Sequence, residues 1–166
     1  MGKEYTFRRF NTEDLGLVAG WLRTPEVSKW YPDADYIEDI EEQIEDNRVC
    51  QKLVSFNDTP IAYLQDYDIH GWSDHHLSFL PKGSRGLDTF IGNSNMIGLG
   101  HGTRYLELYL ISLFEKGIPA LGIDPNIKNQ RAIRVYQKIG FQGSDEIRTK
   151  WGHLRILSCR PDTPSY

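Results

Sequence analysis

The chain has 166 residues, of which 39% are apolar and 12% aromatic, which suits one domain with a buried core and argues against wholesale disorder. Its formal net charge of −4 argues against a nucleic-acid partner, which favours a basic face, and leaves a cationic substrate open. No apolar run reaches membrane-spanning length, and the N-terminus lacks the apolar segment of a secretory leader. Cys50 and Cys159 lie far apart in the sequence and lack the spacing of metal ligands. We therefore interpret them as free thiols in a reducing compartment. We therefore expect one cytoplasmic domain over residues 1–166, without a membrane partner.

Hydrophobic spacing and turn residues divide the chain into strands and helices. The first half of the chain is predicted to form a strand from Tyr5 to Arg9, a helix opened by Thr12 and ending before Pro25, a helix carrying Ile37, Ile40 and Ile44, and strands at about 49–56 and 61–69 joined by Asn57-Asp58-Thr59. A loop over 70–86 and a strand from Gly86 to Ile91 follow, and then a helix from His101 to Lys116 that Gly117 stops. The last predicted elements are a strand from Ala120 to Ile123, a helix over about 130–139, and strands from Phe141 to Ile147 and from Leu154 to Arg160. This order predicts an α/β fold, a mixed sheet with helices on both faces.

A glycine-rich turn precedes the helix that begins at His101. Gly98, Gly100 and Gly102 carry no side chains, so a diphosphate can approach the backbone closely. Backbone N–H groups at a helix start have no intrahelical partner, and the helix dipole adds partial positive charge there. By itself this pattern is equally typical of a flexible helix entry, so both interpretations stay open.

A second segment, from Asn129 to Phe141, carries two residues with possible chemical roles. Asn129 suits the cap of the following helix, which is its structural interpretation. Tyr136 lies seven residues later, two helical turns on, and so returns to nearly the same face. A tyrosine there could protonate a leaving thiolate, since its reference pKa of about 10 is near that of an alkyl thiol. A core tyrosine is the alternative.

Together these segments resemble the GNAT superfamily of acetyl-CoA-dependent N-acetyltransferases. The family's pyrophosphate motif, Arg/Gln-x-x-Gly-x-Gly/Ala, is matched from Ile97 to Gly102 except at its first position, which is isoleucine here. The later pattern Asn-x-x-Ala-x-x-x-Tyr-x-x-x-Gly-Phe is matched at every named position. The resemblance implies that acetyl-CoA lies between splayed fourth and fifth strands of a mostly antiparallel sheet. It also implies a set of cofactor-binding residues, namely Leu99, Gly100, Gly102, Thr103, Asn129 and Tyr136, with Tyr136 as the general acid.

A closer resemblance, to the aminoglycoside 6′-N-acetyltransferases of the Ib type, covers most of the chain. It is carried by the following segments: Trp21-Leu22, Trp30, Tyr63-x-Gln65-x-Tyr67, Arg85-Gly86-Leu87-Asp88, the turn Gly98–Thr103, Asp124-Pro125, and Asn129–Phe141. The resemblance implies that Asp88 is the catalytic base and that Asp124 binds substrate amines. It places Tyr67 at the acceptor as well. Trp30 and Tyr31 are either walls of that site or core side chains.

Residue-level chemistry agrees with these roles. The amine must lose a proton before it attacks the thioester, so a carboxylate or an ordered water beside it is useful. By the predicted topology Asp88 and Asp124 end neighbouring strands, where two carboxylates would hold a cationic sugar through charge-assisted hydrogen bonds. Each aspartate is alternatively a strand-end cap or a surface residue.

Two other polar groups are interpreted structurally. The acidic run from Asp33 to Asp46 is expected to be a solvated helix face, with long-range attraction of a cation as the alternative. His75 and His76 have no companions at metal-binding spacing, so we expect a solvent-exposed loop pair and no metal. This loop offers histidines and Lys82 where the resembling family carries an acidic run.

The sequence thus predicts an acetyl-CoA-dependent N-acetyltransferase that transfers acetyl directly to a small cationic amine, the 6′-amine of an aminoglycoside. One alternative keeps acetyl-CoA but changes the acceptor to a siderophore intermediate, a polyamine or a protein amine. Another is a non-catalytic acyl-CoA-binding module, against which Asp88 and Tyr136 together speak. Monomer and homodimer both stay open.

Overall fold

The structure, a computed structural model, describes residues 4–161 and has eight strands and five helices in that range. The strands are β1 (Tyr5–Arg9), β2 (Val49–Phe56), β3 (Thr59–Asp68), β4 (Arg85–Ile91), β5 (Leu121–Ile123), β6 (Glu146–Thr149), β7 (Gly152–Arg155) and β8 (Leu157–Cys159). The helices are α1 (Leu15–Leu22), α2 (Pro25–Ser28), α3 (Tyr36–Glu42), α4 (His101–Glu115) and α5 (Gln130–Lys138). The predicted absence of a secretory leader falls partly on residues 1–3, which lie outside the described range.

Six strands form one sheet in the order β1-β2-β3-β4-β5-β8, and β6 and β7 form a separate hairpin. The sheet is mixed, because β4 pairs with β5 in parallel while β1 with β2 and β5 with β8 are antiparallel. The parallel ladder joins only Arg85 to Leu121 and Gly86 to Gly122, although β4 continues to Ile91. The predicted α/β fold with a mixed sheet is confirmed, and the short β4–β5 ladder is consistent with the predicted splay between strands 4 and 5.

The described residues cluster into two compact units, one of residues 4–66 and 88–101 and the other of residues 67–87 and 102–161. The first unit has a core to which α1, α2, α3 and the strands β2 to β4 contribute. Its most buried members are Phe10, Val18, Trp21, Val27, Ile40, Leu53, Tyr63 and Phe90. The ring of Trp21 lies so close to Gly92 that a Cβ at Gly92 would stand 1.9 Å from it. The sequence prediction of one domain over residues 1–166 stays a prediction.

Local sequence explains how the first unit begins. A 3₁₀ turn, Thr12–Asp14, leads directly into α1, and Asn11 caps it by accepting a 2.9 Å hydrogen bond from the backbone N–H of Glu13. The carboxylate of Asp14 accepts in return from the Asn11 backbone N–H at 2.9 Å. The predicted helix start near Thr12 is confirmed, whereas the short α2 that Pro25 opens was not predicted.

The predicted hairpin turn between β2 and β3 has a left-handed backbone. Asn57 and Asp58 have φ angles of 46° and 68°, which asparagine and aspartate tolerate better than most residues. The two strands that they join carry buried residues on both faces over much of β3.

The exposed carboxylates of α3 lie opposite the buried Ile40, which confirms the expected solvated face.

The predicted strand from Phe141 to Ile147 is wrong. Gly143 has a φ of 147°, and a Cβ there would stand 2.3 Å from the backbone carbonyl oxygen of Ile156, so this position requires glycine and the regular strand does not start here. Gln142 makes only an isolated bridge to Ser158, and the regular strand β6 starts later, at Glu146. The predicted single strand from Leu154 to Arg160 is wrong as well. It divides at Ile156 into β7, which belongs to the hairpin, and β8, which joins the main sheet.

Among residues 4–161, no helix is both long and apolar enough to cross a membrane. Within the same range, neither Cys50 nor Cys159 forms a disulfide.

Candidate functional site

The glycine turn adopts a conformation that needs glycine. Gly98 and Gly100 have φ angles of 78° and 87°, in the left-handed region that residues with a Cβ rarely adopt. The helix α4 begins at the next residue, His101, and runs for fifteen residues. Its first backbone N–H groups have no intrahelical partner, and its dipole places partial positive charge at the same end. Loop and helix start together have the chemistry of a phosphate cradle.

The start of α4 is anchored by a histidine that the sequence did not single out. The imidazole Nδ1 of His101 lies 2.6 Å from the hydroxyl of Tyr5 on β1, and both side chains are buried. The ring of Phe56 on β2 lies 4.5 Å from the imidazole, centroid to centroid. These contacts within the first unit fix the residue that directly follows the turn. Leu99, in contrast, is a large apolar side chain that is 56% exposed.

Asn129 caps α5, as the sequence predicts. Its Oδ1 accepts a 3.3 Å hydrogen bond from the backbone N–H of Ala132. Asn126 accepts similarly from the N–H of Lys128 at 2.9 Å, so the segment between β5 and α5 holds two side-chain-stabilised turns. The capping role accounts for asparagine at position 129, and its contact with acetyl-CoA stays a prediction.

Tyr136 lies on the buried face of α5 and is 7% exposed. Its ring packs edge-on against Phe141 at a centroid distance of 6.1 Å. The packing fixes the ring, so the hydroxyl has a defined position, which a proton donor needs. The structure thus agrees with the core interpretation of the ring, and the acid role of the hydroxyl stays a prediction.

Asp88 is a half-buried carboxylate on β4 that receives a hydrogen bond from inside the first unit. Gln65 Nε2 donates to Asp88 Oδ2 at 2.8 Å. A donor that holds the charged form of a carboxylate also fixes its orientation. Asp88 therefore combines partial exposure with a fixed position, which a base or an ammonium-binding group requires.

The donor Gln65 is the end of a buried hydrogen-bond chain. Gln51 Nε2 donates to the backbone carbonyl of Ile40 at 3.0 Å and to the hydroxyl of Tyr63 at 2.9 Å. The Tyr63 hydroxyl then donates to Gln65 Oε1 at 2.7 Å. A carbonyl can only accept, so the Ile40 carbonyl sets the direction of every bond in the chain and turns the Gln65 amide N–H toward Asp88. We refer to Gln51, Tyr63 and Gln65 as the relay.

Tyrosines near the relay stay protonated over a wide pH range. Burial, and next the negative charge of Asp88, raise the pKa of Tyr36 well above the ordinary value. Burial also raises the pKa of Tyr63, against the hydrogen bond from Gln51, which lowers it. Tyr31 packs against Tyr36 and Phe90 with centroid distances of 5.0 and 5.1 Å.

Tyr31 and Trp30 differ in their surroundings, although they are neighbours in sequence. Tyr31 belongs to the edge of the first unit's core, and its hydroxyl donates to the backbone carbonyl of Thr89 at 3.3 Å. Trp30 is half-buried and carries the ammonium of Lys29 4.9 Å from its ring centroid. Of the two interpretations, the core role fits Tyr31, whereas Trp30 keeps a partly open face.

Asp124 follows β5 directly and is paired with a histidine in the second unit. His76 Nε2 lies 2.5 Å from Asp124 Oδ2, and the two side chains are 13% and 17% exposed. The predicted solvent-exposed position of His75 and His76 is therefore wrong, because the loop that carries them folds back onto the end of β5. One oxygen of the predicted amine-binding carboxylate is already occupied.

An aromatic row connects this pair to Tyr67. The imidazole of His76 stacks on that of His75 at 4.4 Å between centroids, and His75 lies 5.5 Å from the ring of Tyr67. Trp72 meets Tyr67 edge-on at 6.0 Å. The structure thus brings together two predicted acceptor-site residues, Tyr67 and Asp124, and links them through histidines.

Gly86 allows Tyr67 to occupy its place. A Cβ on Gly86 would stand 2.2 Å from the Tyr67 ring, so no other residue fits there without displacing the tyrosine. Glycine in the Arg-Gly-Leu-Asp segment therefore has a packing role beside the aspartate that follows it.

Three residues were missed or set aside by sequence reasoning, namely Gln51, His76 and His101. Gln65 entered only through the resemblance, although period-two alternation on β3 places it on the same face as Tyr63 and Tyr67 and so signals a polar group among aromatic ones. His76 has no local signal, since its partner lies 48 residues away. Across residues 4–161, no group of three or more histidine, cysteine or acidic side chains is placed to hold a metal ion.

A family model matches most of the chain. The family described as acetyltransferase (GNAT) domain matches residues 11–149, which include the glycine turn, Asp88, Asp124, Asn129 and Tyr136. The chain is a GNAT acetyltransferase. The resemblance stated from the sequence is therefore confirmed, and so is the prediction of an enzyme.

Similar proteins within the family act on aminoglycosides. This GNAT acetyltransferase is 28% identical over 160 residues to the aminoglycoside N(6′)-acetyltransferase type 1 of Klebsiella pneumoniae, an alignment that covers 89% of this chain and 78% of that one. The structure of AAC(6′)-Ib in complex with paromomycin and acetyl-CoA is similar with a TM-score of 0.85 and 26% identity, covering 96% of this chain and 94% of that one. The aminoglycoside N(6′)-acetyltransferase of Legionella pneumophila gives a TM-score of 0.80 with the same identity and coverage.

Proposed function

We propose that this acetyltransferase transfers the acetyl group of acetyl-CoA to the 6′-amine of an aminoglycoside, by direct attack of the amine in a ternary complex. The similar proteins support both substrates, since one of their structures contains an aminoglycoside together with acetyl-CoA. The glycine turn supports the first of them. Its left-handed Gly98 and Gly100, followed by the start of α4, suit a diphosphate held by backbone N–H groups from Leu99 to Thr103.

The observation that carries the proposal is the fixed carboxylate of Asp88. Gln65 holds Oδ2, and the group remains partly exposed, so the carboxylate is available to an incoming amine. An alkylammonium must lose a proton before its nitrogen can attack an acyl carbon. Asp88 takes that proton, directly or through one water, and the neutral amine then attacks. The second proton leaves the nitrogen as the amide forms and, through solvent, restores the proton that Tyr136 gives to the sulfur.

Tyr136 completes the proton balance. The C–S bond of the thioester breaks when the new amide forms, and the sulfur leaves as a thiolate unless it gains a proton. The phenol of Tyr136 gives that proton, because its reference pKa of about 10 is close to that of an alkyl thiol. Asn129 contacts the cofactor arm, and Trp30, Tyr67 and Asp124 bind the acceptor sugar.

The test is the rate of thiol release from acetyl-CoA in the presence of kanamycin A, followed with a chromogenic thiol reagent. We expect Asp88→Asn and Tyr136→Phe each to lower kcat by about a hundredfold, which is the low end of what general acid–base groups contribute. The exposed Asp145→Asn is the matched control for the first change, and the buried Tyr109→Phe on α4 for the second. Both controls should keep wild-type rates.

Two results would count against this function. Wild-type turnover in Asp88→Asn would remove the proposed base. If no aminoglycoside causes thiol release although acetyl-CoA still raises the melting temperature, the protein would remain an acetyltransferase whose acceptor is another amine.

A different acceptor amine is favoured by one specific observation. His76 occupies an oxygen of Asp124, which lowers the negative charge available for a polycationic sugar. A less cationic primary amine, such as a siderophore intermediate or a protein amine, would suit such a site better. A panel of amines of graded charge, assayed by the same thiol release, distinguishes the two acceptor classes.

A further inference from the structure

His76 and Asp124 form a close pair of a basic and an acidic side chain in the second unit. Its atoms lie 2.5 Å apart, with both side chains mostly shielded from solvent. A short contact between shielded groups is a strong, charge-assisted hydrogen bond whenever one partner is ionised. The pair therefore determines how much charge Asp124 offers to anything that binds beside it.

The titratable groups around this pair come from three segments. Asp124 follows β5, His75 stacks on His76 within the same loop, and His70 lies in the short 3₁₀ turn after β3. Burial lowers the pKa of His75, and the positive charges of His76 and His70 lower it further, against Asp124, which raises it. His75 is therefore neutral near pH 7, and its flat ring holds His76 in place without adding charge.

Two protonation states of the pair differ by one unit of charge. With a neutral imidazole that donates its Nε2–H, the pair keeps the full negative charge of Asp124. With an imidazolium, the pair is neutral overall and Asp124 Oδ2 is held more tightly. An ammonium group of an acceptor is attracted to the first state and much less to the second.

We propose that His76 is a specificity-determining residue, which sets the affinity for cationic acceptors by holding one oxygen of Asp124 and cancelling its charge when protonated. The proposal rests on the proposed acceptor-binding role of Asp124. It adds a condition to that role: while His76 is protonated, acceptors with few positive charges bind in preference to polycationic ones, and the aminoglycoside binds best once His76 is neutral. The preference for polycationic amines rises as His76 loses its proton.

The first experiment tests the pair without any acceptor. The titration of the His76 ring is followed by NMR in the full-length wild-type protein and in Asp124→Asn. We expect the titration midpoint of His76 to fall by about one pH unit in the variant, because the carboxylate no longer favours the imidazolium. An unchanged midpoint would overturn the proposal, whatever the enzyme acetylates.

The second experiment measures acceptor KM in wild type and His76→Asn at about pH 6 and about pH 8, with kanamycin A and with a methyl 6-amino-6-deoxyglucoside that has one amine. Asparagine keeps a hydrogen-bond donor but cannot carry charge. We expect the variant to lower the kanamycin KM about tenfold at the lower pH and less than about twofold at the higher, and to change the monoamine KM by a smaller factor than the kanamycin KM at the lower pH.

His153→Asn is the matched control, since His153 also contacts a carboxylate, at 2.9 Å from Glu146 on the β6–β7 hairpin. It should leave the pH dependence of KM as in wild type. A rise of the kanamycin KM in His76→Asn, or the same pH dependence as wild type, would overturn the proposal. If wild type acetylates neither amine, the proposed function has failed, and the NMR titration alone decides whether the pair sets the charge of Asp124.

Discussion

Gln65 Nε2 donates a 2.8 Å hydrogen bond to Asp88 Oδ2, and the direction of that bond is imposed from the opposite end of a buried chain. Because the Ile40 carbonyl can only accept, Gln51 must present its amide N–H groups. The Tyr63 hydroxyl must then donate to Gln65 Oε1, which leaves the amide N–H of Gln65 to donate to Asp88. The carboxylate of Asp88, the proposed base, is thus oriented by residues that are themselves buried in the first unit.

Substitution of Gln65 tests whether the relay positions Asp88. In Gln65→Glu a second carboxylate would replace the donor, so the two acids would share a proton and Asp88 would be less available as a base. We expect kcat/KM to fall about tenfold near pH 7 and the acidic limb of its pH profile to move upward by about one pH unit. Gln137→Glu, the same change at an exposed position of α5, should alter neither. A pH profile identical to wild type would show that the relay is structural only.

Asn129 can be tested separately as a helix cap and as a cofactor contact. Asn129→Ala removes the cap and should lower the free energy of unfolding by about 1 kcal/mol, whereas Asn129→Ser keeps a capping oxygen. We expect both variants to bind acetyl-CoA more weakly, as measured by isothermal titration calorimetry, but only the alanine variant to lose stability in urea. Wild-type affinity in the serine variant would leave capping as the sole function of this side chain.

Gly86 should not tolerate even one added methyl group. A Cβ at this position would stand 2.2 Å from the Tyr67 ring, so Gly86→Ala must displace the tyrosine. We expect a loss of about 2 kcal/mol in the free energy of unfolding, as is common for overpacked cores. The control is Gly20→Ala in α1, where nothing lies within 4 Å and alanine should stabilise the helix. Equal stability of the two variants would contradict the predicted clash.

The raised pKa of the partly buried Tyr36 predicts a loss of stability in alkali. Burial and the charge of Asp88 raise the pKa of Tyr36 well above its ordinary value, so the folded state keeps a proton that the unfolded chain loses above about pH 10. The stabilisation is therefore complete below that pH and is lost as the pH rises further. Urea unfolding from about pH 9 to about pH 11 should show a less steep decline in Tyr36→Phe, by up to about 1.4 kcal/mol per pH unit. The same slope in variant and wild type would refute this.

Much of the fold follows from local sequence patterns. The wrong predictions lie where a single glycine or a partner distant in sequence determines the path of the chain. The strands β1 to β5 and the helices α1 and α3 to α5 match the predicted spacing closely, because alternation and helical periodicity are local properties. The failure came after Phe141, where the backbone of Ile156 leaves no room for a Cβ at Gly143 and β7 and β8 separate into different sheets. Nothing in the run of residues from Leu154 to Cys159 marks that division.

The sequence by itself determined the family, the glycine turn and the cap at Asn129, because each depends on residue types at fixed short spacing. Only the tertiary structure decided the surroundings of the two aspartates. Gln65 reaches Asp88 across 23 residues and His76 reaches Asp124 across 48, and such contacts arise from the pairing of strands and the folding back of a loop. The physical reason is that a hydrogen bond depends on distance and direction in space, which local sequence periodicity does not specify.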